Sequence, residues 1–123
     1  MRSRLKADRV GQESATGFIT VYMTASSAEE AGNIARALVQ NRLVACANVL
    51  EGVTSYFWWD GEVQGDNEVV IIAKSRSELF VDIETCVKAL HSYDCPCIVA
   101  WPIETGSADY LAWIEAETRP LDD

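Results

Sequence analysis

The stretch from Leu43 to Ser75 constrains this chain more than any other. An aromatic run, Tyr56-Phe57-Trp58-Trp59, leads straight into Asp60-Gly61, with β-forming segments on either side, Leu43 to Leu50 and Glu68 to Lys74. Asp-Gly suits the two positive-φ positions of a tight turn, so this pattern predicts a hairpin of two long strands that meet at one aromatic turn. Two adjacent tryptophans beside a turn are more than core packing requires. An aromatic hairpin tip presents a surface for a partner, and in so short a chain that partner can be a second copy of itself.

A chain of 123 residues, 49% hydrophobic and 24% charged, makes one globular domain with its own core. The formal net charge of −9 argues against nucleic acid, which binds through Lys and Arg on its phosphates. No apolar run approaches ~18 residues, so no membrane-spanning helix is expected. Arg2, Arg4, Lys6 and Arg9 make the N-terminus basic, but no apolar segment follows them as a secretory signal would require. Residues 1–16 read as a disordered tail, 17–119 as the folded domain and 120–123 as a C-terminal tail. Cys46, Cys86, Cys95 and Cys97 fall in expected strands and a helix. In a chain read as cytoplasmic, that favours buried free thiols over a disulfide framework.

Phe18 to Thr24 is rich in β-formers and reads as a first strand. Ser26 or Ser27 caps a helix with Glu29 and Glu30 in its first turn, where the helix dipole favours them. Its apolar face is Ala28, Ala31, Ala35, Leu38 and the stem of Arg42, with Ile34 and Val39 alongside, and Asn41 ends it. After the hairpin, Ser77 caps a second helix with the face Leu79, Phe80, Ile83, Val87 and Leu90. A fourth strand runs from Ile98 to Ile103, and a short helix from Ser107 turns Tyr110, Leu111 and Ile114 inward. The order β-α-β-β-α-β plus a terminal helix is the ferredoxin-like split βαβ arrangement of an α+β protein. Val69 to Ala73 is apolar without alternation, as in a strand covered on both faces. The two helices cover one face, so self-association is expected to cover the other.

These elements carry separated motifs in order: Leu43-Val44-Ala45-Cys46-Ala47-Asn48, Gly52-Val53-Thr54-Ser55, Trp58-Trp59-Asp60-Gly61, Glu68 to Lys74, His91-Ser92-Tyr93-Asp94-Cys95-Pro96 and Asp109 to Trp113. From Phe18 to Arg119 the chain resembles the CutA family of divalent-cation tolerance proteins. The resemblance implies a ferredoxin-like protomer, a homotrimer joined through extended hairpins, and a non-enzymatic role in tolerance or response to metals such as copper. The architecture is also similar to that of PII-type signalling trimers. Where copper binding has been argued for family members, a Cys precedes the Thr of the first strand; here that residue is Met23.

His91 is the only histidine, at the end of the second helix, where it either caps carbonyls or ligates a metal. With Met23 it would favour copper(I), Met23 being otherwise core filler. Cys95-Pro96-Cys97 is too closely spaced for the common zinc pattern. A polar and aromatic set, Trp58, Glu62, Lys74, Tyr93, Asp94 and Tyr110, is expected either to line clefts between subunits or to form an interface network. Trp58 and Trp59 are expected to anchor the trimer. The first strand leads into the helix without glycines, and no nucleophile elbow accompanies the single histidine. No enzyme is expected. The alternative to a metal-tolerance role is a signalling or scaffold trimer that takes a small molecule or a protein in its clefts.

Overall fold

The computed structural model describes residues 16–120, so the expected tails lie outside the described residues except for Thr16 and Pro120. Thr16 is tied to the domain: its hydroxyl donates to the Ile103 carbonyl at 2.5 Å and accepts from the Phe18 amide at 3.2 Å. The elements run β1 (Phe18–Ala25), α1 (Ala28–Gln40), β2 (Cys46–Trp59), β3 (Glu62–Arg76), a 3-10 turn (Ser77–Leu79), α2 (Phe80–Leu90), β4 (Ile98–Pro102) and α3 (Ala108–Glu117). The four strands form one antiparallel sheet in the order β2-β3-β1-β4. This is the expected ferredoxin-like α+β fold.

Strand alternation assigns the two faces of the sheet. Ile19, Val21, Met23 and Ala25 of β1 and Val69, Ile71 and Ala73 of β3 form one core with Ala31, Ile34 and Leu38 of α1 and Ile83 and Val87 of α2. Ile34, expected only alongside the apolar face, is therefore central to α1, whereas Ala28 and Arg42, expected on that face, are exposed, as is Val39. The helix stops at Asn41, its C-cap, and Arg42 takes a left-handed conformation (φ 57°) that turns the chain toward β2. Ser77 does not cap α2: it begins the 3-10 turn, and its hydroxyl donates to the Gly17 carbonyl at 3.3 Å instead. Leu79 is fully buried, while Leu90, expected on the same face, is exposed.

The other sheet face carries Thr20, Tyr22 and Thr24 of β1, Val70, Ile72 and Lys74 of β3, and Val99 and Trp101 of β4. The α3 helix covers only its Lys74 end. The Lys74 ammonium lies 5.9 Å from the Tyr110 ring centroid, the Cys46 Sγ lies 3.5 Å from the Tyr110 hydroxyl, and Ile114 is fully buried. Tyr110 itself stays 42% exposed rather than turning inward.

The hairpin is longer than the sequence pattern suggests. The aromatic run is not a turn but the outer half of β2, paired residue for residue with β3 from Val53/Glu68 to Trp59/Glu62. Only Asp60 (φ 55°) and Gly61 (φ 76°) form the turn, with the two positive φ values of a type I′ connection. A bulge at Glu51-Gly52, with Gly52 at φ 82°, separates this half from the sheet. Beyond the bulge, at ~3.3 Å per residue, the ribbon runs on for roughly 20 Å without pairing to β1. Replacing Gly61 by Ala, which resists that φ, should lower stability by ~1 kcal/mol. A urea unfolding curve should show a lower midpoint with an unchanged slope.

Candidate functional site

Because adjacent residues of a strand point to opposite faces, the hairpin has two unlike surfaces. Ser55, Phe57 and Trp59 share one with Gln64, Asp66 and Glu68. Tyr56 and Trp58, 77% and 73% exposed, share the other with Val63. The first surface forms one wall of a groove of about 580 Å³, whose other wall is the segment from Tyr93 to Cys97 and whose base includes the buried Thr24. None of the groove's lining residues is Lys, Arg or His.

Glu68 ties the two walls together. It accepts from the Ser55 hydroxyl at 2.6 Å through one oxygen and from the Tyr93 hydroxyl at 3.0 Å through the other. Burial, this hydrogen bond and the charges of Glu68, Asp66 and Glu30 push the Tyr93 phenol up to about 12. Burial, with Glu68 nearby, also pushes the Cys97 thiol up. The four cysteines are free thiols, and none is fully buried: Cys95 is exposed and the others half-buried, so the expectation of buried thiols is corrected.

Tyr93 is held in place from behind. The His91 Nε2 lies 2.7 Å from the Thr24 carbonyl, which can only accept, so Nε2 donates. The Nδ1 then accepts from the Tyr93 amide at 3.1 Å, and the two rings lie 4.7 Å apart. Next to them Glu30 joins α1 to the end of α2. Its Oε1 accepts from the Ser26 amide and hydroxyl at 2.9 and 2.8 Å, and its Oε2 accepts from the Ser92 amide at 2.6 Å. The Ser27 hydroxyl in turn accepts from the Glu30 amide at 3.1 Å, a capping box shifted by one residue. Burial would raise the Glu30 carboxyl, but the hydrogen bonds from Ser26 and Ser92 prevail and lower it to about 2.

The residues singled out from the sequence thus fall into four places. Tyr93 and Asp94 line the groove. Lys74 and Tyr110 meet each other on the sheet face beneath α3. Trp58 and Glu62 sit at the hairpin tip, outside the groove lining, and Trp58 and Trp59 point to opposite sides of the ribbon. Met23 is fully buried on the helix-covered face, and the His91 side chain is also fully buried, with both ring nitrogens engaged. Among the described residues, no three His, Cys, Asp or Glu side chains converge as a metal-holding group. Phe57, Asp66 and Glu68 were not predicted as site residues, yet a two-residue turn at Asp60-Gly61 fixes the register that places them together.

Fold and groove define a small ferredoxin-like domain with a projecting two-faced hairpin. Residues 19–117 match the family model described as CutA1 divalent ion tolerance protein, and the chain belongs to that family of divalent-cation tolerance proteins. It is 45% identical over 95 residues to the divalent-cation tolerance protein CutA of Archaeoglobus fulgidus, covering 77% of this chain and 92% of the relative. It is 39% identical over 101 residues to the chloroplastic protein CutA 1 of Oryza sativa, covering 82% of this chain but only 57% of the rice protein. Among solved structures, the divalent cation tolerance protein of Thermus thermophilus superposes with a TM-score of 0.82 at 42% identity, over 83% of this chain and 99% of that one. The Archaeoglobus structure, described as a periplasmic divalent cation tolerance protein, superposes with a TM-score of 0.79 at 43% identity over 81% and 97% of the two chains.

The depressed Glu30 carboxyl has a testable consequence. Its folded value of about 2 lies below the ordinary 4.5, so its contribution to stability is complete above about pH 4.5 and is lost as pH falls toward 2. Replacing Glu30 by Gln should cost ~1–3 kcal/mol near neutral pH. In urea melts across that range, the gap between the wild type and the variant should close as the acid limit is reached.

Proposed function

We propose that this protein acts in divalent-metal tolerance as a homotrimer and without catalysis of its own. The observation that carries the assembly is the apolar sheet face that α3 leaves open. Leu50, Val99 and Trp101 are each 45–49% exposed there, around buried Val70 and Thr24. A patch of this kind, continuous with an aromatic hairpin, fits association between copies. Three copies, the number that the resemblance implied, would also bring the groove against a neighbouring subunit. Four free thiols accord with a reducing, cytoplasmic setting, and no described helix is long and apolar enough to cross a membrane.

Copper is the metal proposed for the His91 and Met23 pair, at a defined cost. The imidazole must give up its bond to the Thr24 carbonyl or to the Tyr93 amide before either nitrogen can ligate. A second reading is favoured by the groove itself, with its volume and fixed polar groups: a PII-like trimer that takes a small molecule between subunits.

Replacing Trp101 by Glu should dissociate the trimer, read as a lower mass by light scattering at micromolar concentration; an unchanged mass would remove that face from the interface. In a copper titration of both oxidation states, saturable binding should fall in His91→Ala. Binding undiminished by that substitution would take His91 out of the ligand set.

A further inference from the structure

We propose that the groove under the hairpin binds a small aliphatic organic cation, its ammonium group held by Glu68, Asp66 and Asp94 and its carbon chain packed on Phe57, Trp59 and Tyr93. The inference rests on the reading of the groove as a small-molecule cleft and adds the chemical class of its ligand.

Three features of the lining select that class. The first is sign: it holds three carboxylates and no basic side chain to neutralise them. The unbalanced charge is felt by neighbouring groups, since beyond burial it is Glu68 and Asp66 that help to push the Tyr93 phenol up and Glu68 that acts on the Cys97 thiol. The second is the placing of aromatic faces beside these acids, Phe57 and Trp59 lying toward the tip of the ribbon and Asp66 and Glu68 toward its base. A ring attracts a cation through its quadrupole and also covers a hydrocarbon stem, a combination suited to an alkylammonium ion. The third is the spread of the acids. A bare divalent ion wants several oxygens converging on one point, and no described group of three ligating side chains does so. An alkylammonium needs only one or two carboxylates and room for its chain, and the volume of about 580 Å³ lies within the range of small-molecule sites.

The wall facing the hairpin is also set before any ligand arrives. The Tyr93 hydroxyl is fixed on Glu68 and its amide on the His91 ring, which is anchored to β1 at Thr24. Ser55 holds the other Glu68 oxygen, leaving each carboxylate oxygen a further lone pair for a donor from the ligand. Little ordering is then required on binding.

The test compares three probes that share a four-carbon chain and differ in charge, namely 1,4-diaminobutane, butane-1,4-diol and succinate. Each is titrated into the full-length protein while amide NMR shifts are followed and light scattering on the same samples reports the assembly. The diamine should shift the amides of Phe57, Glu68 and Tyr93 saturably, and the diol and succinate should not. Glu68→Gln should weaken the diamine by about tenfold or more, as loss of a charge-assisted hydrogen bond does. Glu84→Gln, on the far helix α2, should leave it unchanged. Should Glu68→Gln fail to fold, Phe57→Ala serves in its place, with the same expected weakening. If the diol or succinate binds as well as the diamine, the cationic class is overturned while the groove remains a ligand cleft. If no probe shifts the groove amides of a correctly assembled sample, both readings fall. Diamine shifts scattered over the acidic surface, or equal losses in Glu68→Gln and Glu84→Gln, would show attraction to net charge alone and overturn the proposal.

Discussion

Strand β3 pairs with two partners along one half and with a single partner along the other, and the rest of the structure follows from that asymmetry. From Val70 to Lys74 it lies between β1 and β2, and its apolar residues are enclosed by the helices on one face. From Glu62 to Glu68 it has β2 alone. A two-stranded ribbon has no sheet behind it to bury its side chains, and an isolated hairpin is marginally stable in water. Its tryptophans therefore stay exposed in the single chain, and the outer half of the hairpin has only what lies beside it to pack against. One such neighbour lies within the chain, where the Tyr93 hydroxyl meets Glu68 across the groove.

That contact is rooted in the helix layer. Glu30 joins the start of α1 to the end of α2, and His91 passes the constraint to Tyr93 through one ring nitrogen while holding β1 through the other. The same carboxyl thus serves as a helix-terminal anion, favoured by the dipole of α1, and as a clasp between two helices. Packing of the helices against the sheet and the shape of the groove are in this way parts of one network. A histidine that carries structure in this manner has no nitrogen to spare, which distinguishes it from a ligand standing free in a cleft.

Membership in the divalent-cation tolerance family and the acidic character of the groove point in a common direction, toward cations. They do so through different chemistry. A metal would need ligands brought together by assembly or by rearrangement around His91, whereas the groove offers dispersed carboxylates among aromatic faces. The second sheet face adds a constraint of its own: its apolar residues are only half covered by α3, so the groove opens beside a surface suited to another subunit.

Much of this was legible in the residues. The periodicity of Ala31, Ile34, Ala35 and Leu38, the serine caps, and the Asp60-Gly61 turn specify the order of elements through short-range rules of spacing and backbone preference, and with them the ferredoxin-like fold. The turn alone also fixes which hairpin residues share a face, because a two-residue connection leaves a single register. What sequence separation concealed was long-range. Glu68 and Tyr93, or Thr24 and His91, meet only because β1 lies between β3 and β4, and the chain from α2 must pass the end of that strand to reach β4. Lys74 and Tyr110 were grouped with Tyr93 and Asp94 by chemical kind, but the strand pairing sends them to opposite ends of the sheet face. The sequence by itself determined the elements, the turn and the two faces of the hairpin, since these depend on neighbours along the chain. The groove, the engagement of His91 and the partial cover that α3 gives the second sheet face were decided only by tertiary structure, because each depends on which distant strands the sheet places side by side.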